Sequence, residues 1–215
     1  MYLNLLMIDR PQYPRDYALQ VAYDQFFFPF KERFPQIKCV IVGSIRREKE
    51  LVHDIDILVV SKDQDVIKWC ADKISDTRLF ISEFNLSGSL KEFRCQVWFC
   101  IPEEYGPALL KWTGPHGFNK MLASTAKKMG GTLSERGLFL GTPQNRGKRI
   151  DENTESSIIF KILSKQWIHP RDRLSPQDYH PYIPRPTWCI EHITKDFCKR
   201  DRSIALQERG SLPER

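Results

Sequence analysis

The sequence predicts an α+β fold: a small mixed, mostly antiparallel sheet with helices, then a smaller unit of helices and a β-hairpin. Strand-sized runs rich in β-branched and aromatic residues alternate with segments whose apolar residues recur at helical spacing. Gly and Pro clusters such as Thr113-Gly114-Pro115 and Gly130-Gly131 punctuate these segments. With 41% hydrophobic and 28% charged residues in 215, the chain can bury a sizeable core, which excludes a wholly disordered protein.

Taken in order, Leu19, Ala22, Tyr23, Phe26 and Phe30 fall on one helical face, and Pro29 is expected to end or kink that helix. Ile37 to Val42 reads as a strand stopped by Gly43-Ser44, Asp54 to Val60 as a second strand and Phe93 to Ile101 as a third, with a short helix over Asp65 to Ile74. Ala108 to Trp112 and Phe118 to Met129 read as two helices. Thr132 to Leu140 reads as a hairpin closed by Gly137 or Gly141, and Glu155 to Leu163 as a last helix before Pro170. From Leu174 onward prolines and scattered charges predict a poorly structured extension, with at most one short helix around Thr187 to Phe197. Three divisions follow: residues 1–105, 106–173 and 174–215.

No apolar run approaches the roughly 18 residues of a membrane span, and Met1 to Arg10 lacks the basic start of a secretory signal. The six cysteines form no CxxC pair, which predicts reduced thiols and an intracellular protein in cytoplasm or nucleus. The net charge of +6 is concentrated: Gly106 to Arg173 holds seven Lys and five Arg against two Asp and three Glu. A basic second half beside a near-neutral first half points toward a polyanionic partner.

The most informative segment is Gly43-Ser44-Ile45-Arg46-Arg47, followed by Asp54-Ile55-Asp56. In a strand, residues two apart face the same way, so the two carboxylates stand about 6.5–7 Å apart on one face. Like charges on an otherwise apolar strand are costly unless a cation lies between them, and Mg²⁺ suits one or two carboxylates completed by phosphate oxygens and water. The Gly-Ser turn offers a hydroxyl and backbone N–H groups beside the fixed charges of Arg46 and Arg47, a set able to hold a triphosphate next to the metal.

Gly-Ser-x-Arg-Arg with Asp-Ile-Asp eleven residues after the Gly resembles the family X DNA polymerases, the polymerase β-like branch of the nucleotidyltransferases. Three further stretches are similar in the same order: YGPALLKWTGPHGFN over Tyr105 to Asn119, LSERGLF over Leu133 to Phe139, and Thr154 to Arg173 ending WIHPRDR. The resemblance implies a nucleotidyltransferase palm over 1–105 and a thumb-like nucleotide- and DNA-binding unit over 106–173, a short form without the family's lyase domain.

By this resemblance Asp54 and Asp56 would bind two Mg²⁺ ions, with Mn²⁺ as a substitute. Gly43, Ser44 and Arg47 would hold the triphosphate, and Arg46 would shape their turn. Trp112, Thr113 and Gly114 match a turn beside the incoming sugar that carries a cis peptide, and Asn119 the residue that touches the incoming base. Lys111 stands where many members have an aromatic, His53 where many have Gly, and Ala123 where some use an Arg to read the templating pair. Aligned back from Thr113-Gly114, the family's third catalytic Asp falls on Gln96. A Gln carbonyl can ligate a metal but brings no charge and is not a useful base. The expected function is addition of deoxynucleotides from dNTP to a DNA 3′ end in repair, by a monomer acting on primer and template. The alternative is a catalytically silent DNA- or nucleotide-binding module.

Overall fold

The computed structural model describes residues 11–74, 85–164 and 167–173. The extension after Arg173, with the short helix expected around Thr187 to Phe197, lies outside the described residues, as does the segment Met1 to Arg10. Strand β1 (Tyr13–Pro14) leads into α1 (Arg15–Ala22), a π-helical turn (Tyr23–Phe27) and α2 (Phe28–Arg33). The helix does not end at Pro29. The π-turn runs directly into α2, where Pro29 occupies the opening positions, and such a widened turn accommodates a residue that offers no N–H to the i−4 carbonyl.

Strand β2 (Cys39–Ile41) is shorter than the apolar run suggests, because Gly43 to Arg46 form a single helical turn, α3, in place of a plain loop. Short β3 (Leu51–Val52) pairs with β1. Then come β4 (Asp54–Val59), α4 (Gln64–Lys73), β5 (Asn85–Leu90) and β6 (Phe93–Phe99). The main sheet has the order β2-β4-β6-β5, antiparallel except for the parallel pair β4–β6. Sequence reading missed β5, an edge strand of composition NLSGSL that buries only Leu86 and Leu90.

One face of this sheet is dry. Ile55, Ile57, Val59, Cys95, Val97 and Phe99 meet Val21, Phe26, Phe30 and Cys70 from the helices. Side chains of the opposite face, at alternate positions of β4 and β6, are Asp54, Asp56 and Leu58 beside Arg94, Gln96 and Trp98. Leu58 is covered there by Val42, Cys100 and Ala108, with Trp98 and Trp112 packed alongside, so the far end of the face is closed and the carboxylate end is left to face solvent.

Helices α5 (Tyr105–Thr113) and α6 (His116–Lys128) follow, separated by Gly114 and Pro115, whose peptide bond is cis. The expected hairpin is a three-stranded sheet: β7 (Gly131–Ser134), β8 (Gly137–Gly141) and β9 (Arg146–Arg149), in that order. Its first turn is Glu135-Arg136; Gly141, at a positive φ of 88°, instead opens the connection to β9. Helix α7 (Glu155–Leu163) is capped by Thr154, whose side chain accepts from the Ser157 N–H. Leu110, Phe118, Leu122, Leu138, Ile158 and Ile162 form the core of this second unit.

The architecture is thus α+β, with a mostly antiparallel sheet carrying helices and a smaller helix-and-sheet unit after it. Cys39, Cys70, Cys95 and Cys100 are buried free thiols, and burial pushes Cys70 up to about 12. Among the described residues no helix is long and apolar enough to cross a membrane.

Candidate active site

Because β4 alternates, Asp54 and Asp56 stand on one face at the open end of the central strand, and α3 leaves β2 immediately beside them. Gly43 is held at φ 64°, and a Cβ placed there would lie 2.0 Å from Asp56 Oδ2. Only a glycine lets the backbone approach the carboxylate so closely. Burial, then the neighbouring Asp54, pushes Asp56 up to about 7, against hydrogen bonding from Trp98 and the charges of Arg47 and Arg94. Burial and the like charge of Asp54 thus outweigh what Trp98, Arg47 and Arg94 offer the Asp56 carboxylate.

A cavity of about 550 Å³ opens over this strand end. Gly43, Ser44, Arg47, Asp54 and Asp56 line one wall; Trp112, Thr113, Gly114 and Asn119 line the other. Residues from β4, α3, α5 and α6 thus meet in one space. Arg47 donates to the Thr113 carbonyl, which fixes the guanidinium against the turn. Its Nε and the Ser44 hydroxyl are buried without a hydrogen-bond partner, and both belong to residues that line the cavity. Unmet buried donors beside a cavity are what an acceptor-rich ligand would satisfy. Burial pulls the Arg47 guanidinium below its ordinary range while Asp56 and Asp54 oppose that shift.

Gln96 is not among the residues lining the cavity. It pairs in register with Asp56 across the parallel β4–β6 ladder, on the same face, and is half-buried. Arg46 also lies outside the lining. It forms a bidentate pair with Glu155 at 2.8 and 2.6 Å and donates to the Thr113 hydroxyl. His53 turns away to the amino-terminal segment, with ring nitrogens 3.2 Å from the Pro11 carbonyl and 3.1 Å from Gln12. Asn119 donates to the Lys111 carbonyl at 2.6 Å, and Lys111 pairs with Glu135 at 2.7 Å.

Sequence reading missed Trp98. Its indole N–H lies 3.5 Å from Asp56 Oδ1, and its ring stacks on Trp112 with centroids 3.5 Å apart. The alternation of β6 places Trp98 on the carboxylate face, which was the available signal; the stack on a helix in the other unit was not readable from spacing. Among the described residues no group of three or more His, Cys, Asp and Glu side chains could hold a metal. The donor set is two carboxylates beside unmet phosphate-type donors, which fits a cation shared with a phosphorylated ligand.

Residues 108–174 match the DNA polymerase beta thumb. The chain is 25% identical to DNA polymerase lambda of Rattus norvegicus over 167 residues, covering 65% of this chain and 29% of that protein. It is 26% identical over 174 residues to DNA polymerase lambda of Arabidopsis thaliana, covering 66% and 33%. It is also 24% identical over 107 residues to repair DNA polymerase X of African swine fever virus (isolate Pig/Kenya/KEN-50/1950), covering 46% and 62%. The chain is similar to the family X DNA polymerases, and the part matched to a family model is the thumb. It spans less than two thirds of the length of each of these relatives. Within the family frame, α5 from Ala108 onward, α6, the three-stranded sheet and α7 lie in the part matched to the thumb.

Proposed function

We propose that this chain is a metal-dependent nucleotidyltransferase that adds deoxynucleotides from dNTP to a DNA 3′ end, in gap-filling repair. Primer, template and dNTP are its partners, and it acts as a monomer. The observation that carries the reading is one cavity in which two adjacent carboxylates, an unpartnered hydroxyl and a guanidinium face the Thr113–Gly114 turn.

Asp54 and Asp56 would hold Mg²⁺, or Mn²⁺ in its place. When bound, such an ion supplies positive charge that polarises phosphoryl oxygens and offsets charge gathered during transfer. Ser44 Oγ and Arg47 Nε donate to the non-transferred phosphates. Trp112, Thr113 and Gly114 border the sugar, and Asn119 offers an amide to the base. The reaction joins the primer 3′-oxygen to the α-phosphorus and releases pyrophosphate, so positioning accounts for much of the rate. Residues 1–105 act as palm and 106–173 as thumb.

A second reading has its own support. Gln96, not a carboxylate, stands beside Asp56, which favours a silent DNA- or nucleotide-binding module. Extension of a labelled primer on gapped DNA, in Mg²⁺ and in Mn²⁺, separates the two. Transfer that Asp56→Ala abolishes is expected. Nucleotide binding without transfer in either metal would establish the silent module, and undiminished transfer by Asp56→Ala would place the active site elsewhere.

A further inference from the structure

We propose that a second groove, separate from the cavity over Asp54 and Asp56, binds unpaired single-stranded nucleic acid by stacking its bases on exposed aromatic rings. This groove, of about 590 Å³, lies between the amino-terminal helix, the edge strand β2 and the segment around Trp167 to Pro170. Seven large hydrophobic side chains are exposed among the described residues. Three of them, Tyr23, Phe28 and Trp167, line this groove, at 44%, 64% and 45% exposure.

All three are aromatic, and they project above an aliphatic floor that includes Leu19 and Ile45. Phe28 lies 5.7 Å from Tyr23 centroid to centroid with the ring planes tilted by 41°, so the two rings stand side by side as separate faces. Trp167 contacts the His169 ring edge-on at 5.2 Å. A helix that only needed to be soluble would not present this cluster to water, because large exposed apolar patches mark sites of interaction.

Charge selects the occupant. Arg15, Lys31 and Arg46 border the groove against one carboxylate, Glu48. Arg46 is committed to Glu155, and Glu48 is met by Arg171 at 3.5 Å and by His169 at 3.7 Å. Arg15 and Lys31 supply the remaining positive charge of the lip; Lys31 donates to the Pro35 and Ile37 carbonyls, and Arg15 donates to the Ile45 carbonyl and pairs with the exposed Asp16 at 3.6 Å. Free aromatic faces with a cationic border match a flexible strand that offers π-faces and phosphates together. A duplex hides its bases in its own stack, so unpaired strand is the form recognised.

The test is fluorescence anisotropy of a labelled ten-nucleotide oligo-dT, titrated with the full chain in EDTA and without dNTP. Phe28→Ala and Trp167→Ala should each weaken binding about 5-fold or more, the lower range for loss of one base–aromatic stack. Duplex of the same length should bind more weakly than the single strand. Phe160→Ala, which removes an exposed ring outside this groove, should change nothing. Because the assay contains EDTA and no dNTP, it reads binding without transfer, so failure of the nucleotidyltransferase reading would not touch this one. Unchanged affinity in both Phe28→Ala and Trp167→Ala would overturn the proposal. So would self-association that Phe28→Ala abolishes while oligo-dT binding persists, since the groove would then belong to a second copy of the chain.

Discussion

Asp56 is the residue on which the site's chemistry and its cost to stability meet. Burial and the Asp54 charge push it up to about 7, whereas an unfolded Asp titrates near 3.9. Between those values the folded chain holds a proton that the unfolded chain lacks. Its stabilising share is therefore complete below about pH 4 and is lost as pH rises through 7. In chelator, Asp56→Asn should raise the unfolding free energy, read by urea denaturation, by about 1 kcal/mol at pH 5 and by on the order of 2–4 kcal/mol at pH 8, unless a divalent ion is restored. An equal gain at both pH values would show that Asp56 is not held protonated. Gln96 gives the converse experiment. Gln96→Asp adds a third carboxylate beside Asp56 and should raise nucleotide transfer by about 10²-fold, in the range of a positioned proton acceptor. The gain should be greater in Mg²⁺ than in Mn²⁺, which binds more strongly and needs less help. A folded variant with no gain in either metal would sink that assignment. The carboxylate pair was legible because a period of two needs only local sequence. Trp98 was half-legible, since its face follows from alternation while its stack on Trp112 depends on a helix from the other unit.

At the level of elements, α3 and α7 are joined by a buried ionic cluster. Arg46 meets Glu155 at 2.6 Å, and Arg173 reaches the same carboxylate at 3.0 Å; Glu155 and Arg173 are 6% and 0% exposed. Burial alone would push Glu155 up, but the hydrogen bond from Arg46 and the charges of Arg173 and Arg46 outweigh it and hold it below the ordinary range. Glu155→Gln leaves two guanidinium groups facing each other with little solvent, and should cost about 3–5 kcal/mol, read as a lower urea midpoint at pH 7. A change below about 1 kcal/mol would mean that the cluster is held by the surrounding fold and not by its charges. Because a lowered carboxylate stabilises above its unfolded value and fails as pH falls, the difference from Glu155→Gln should narrow under acid. The fold elements divide in the same way between legible and hidden. Strands with buried β-branched faces, such as β4 and β6, announced themselves. β9, with sequence RGKR, has no apolar side chain to reveal it and is held by backbone pairing to β8 across an irregular register. Arg46 looked like a turn residue because its partner lies far along the chain.

For the molecule as a whole, the excess positive charge of Gly106 to Arg173 sits in the unit that matches the polymerase β thumb. Gapped-duplex affinity should therefore fall steeply with salt, by about 0.9 in log Kd per log unit of salt for each phosphate neutralised. A salt-independent Kd would remove the thumb's charge from the account of DNA binding. The pairing of Arg46 with Glu155 has a different consequence, one of time. The two residues are 109 positions apart, and a ribosome adds roughly 5–20 residues per second. For about 5–20 s of synthesis, then, Arg46 has emerged while the carboxylate that holds it does not yet exist. Thr113, which completes the contact, arrives in between. The Arg46–Thr113–Glu155 contact is consequently completed late in the described chain, and a nascent chain stopped between Arg46 and Glu155 lacks the carboxylate that holds the guanidinium.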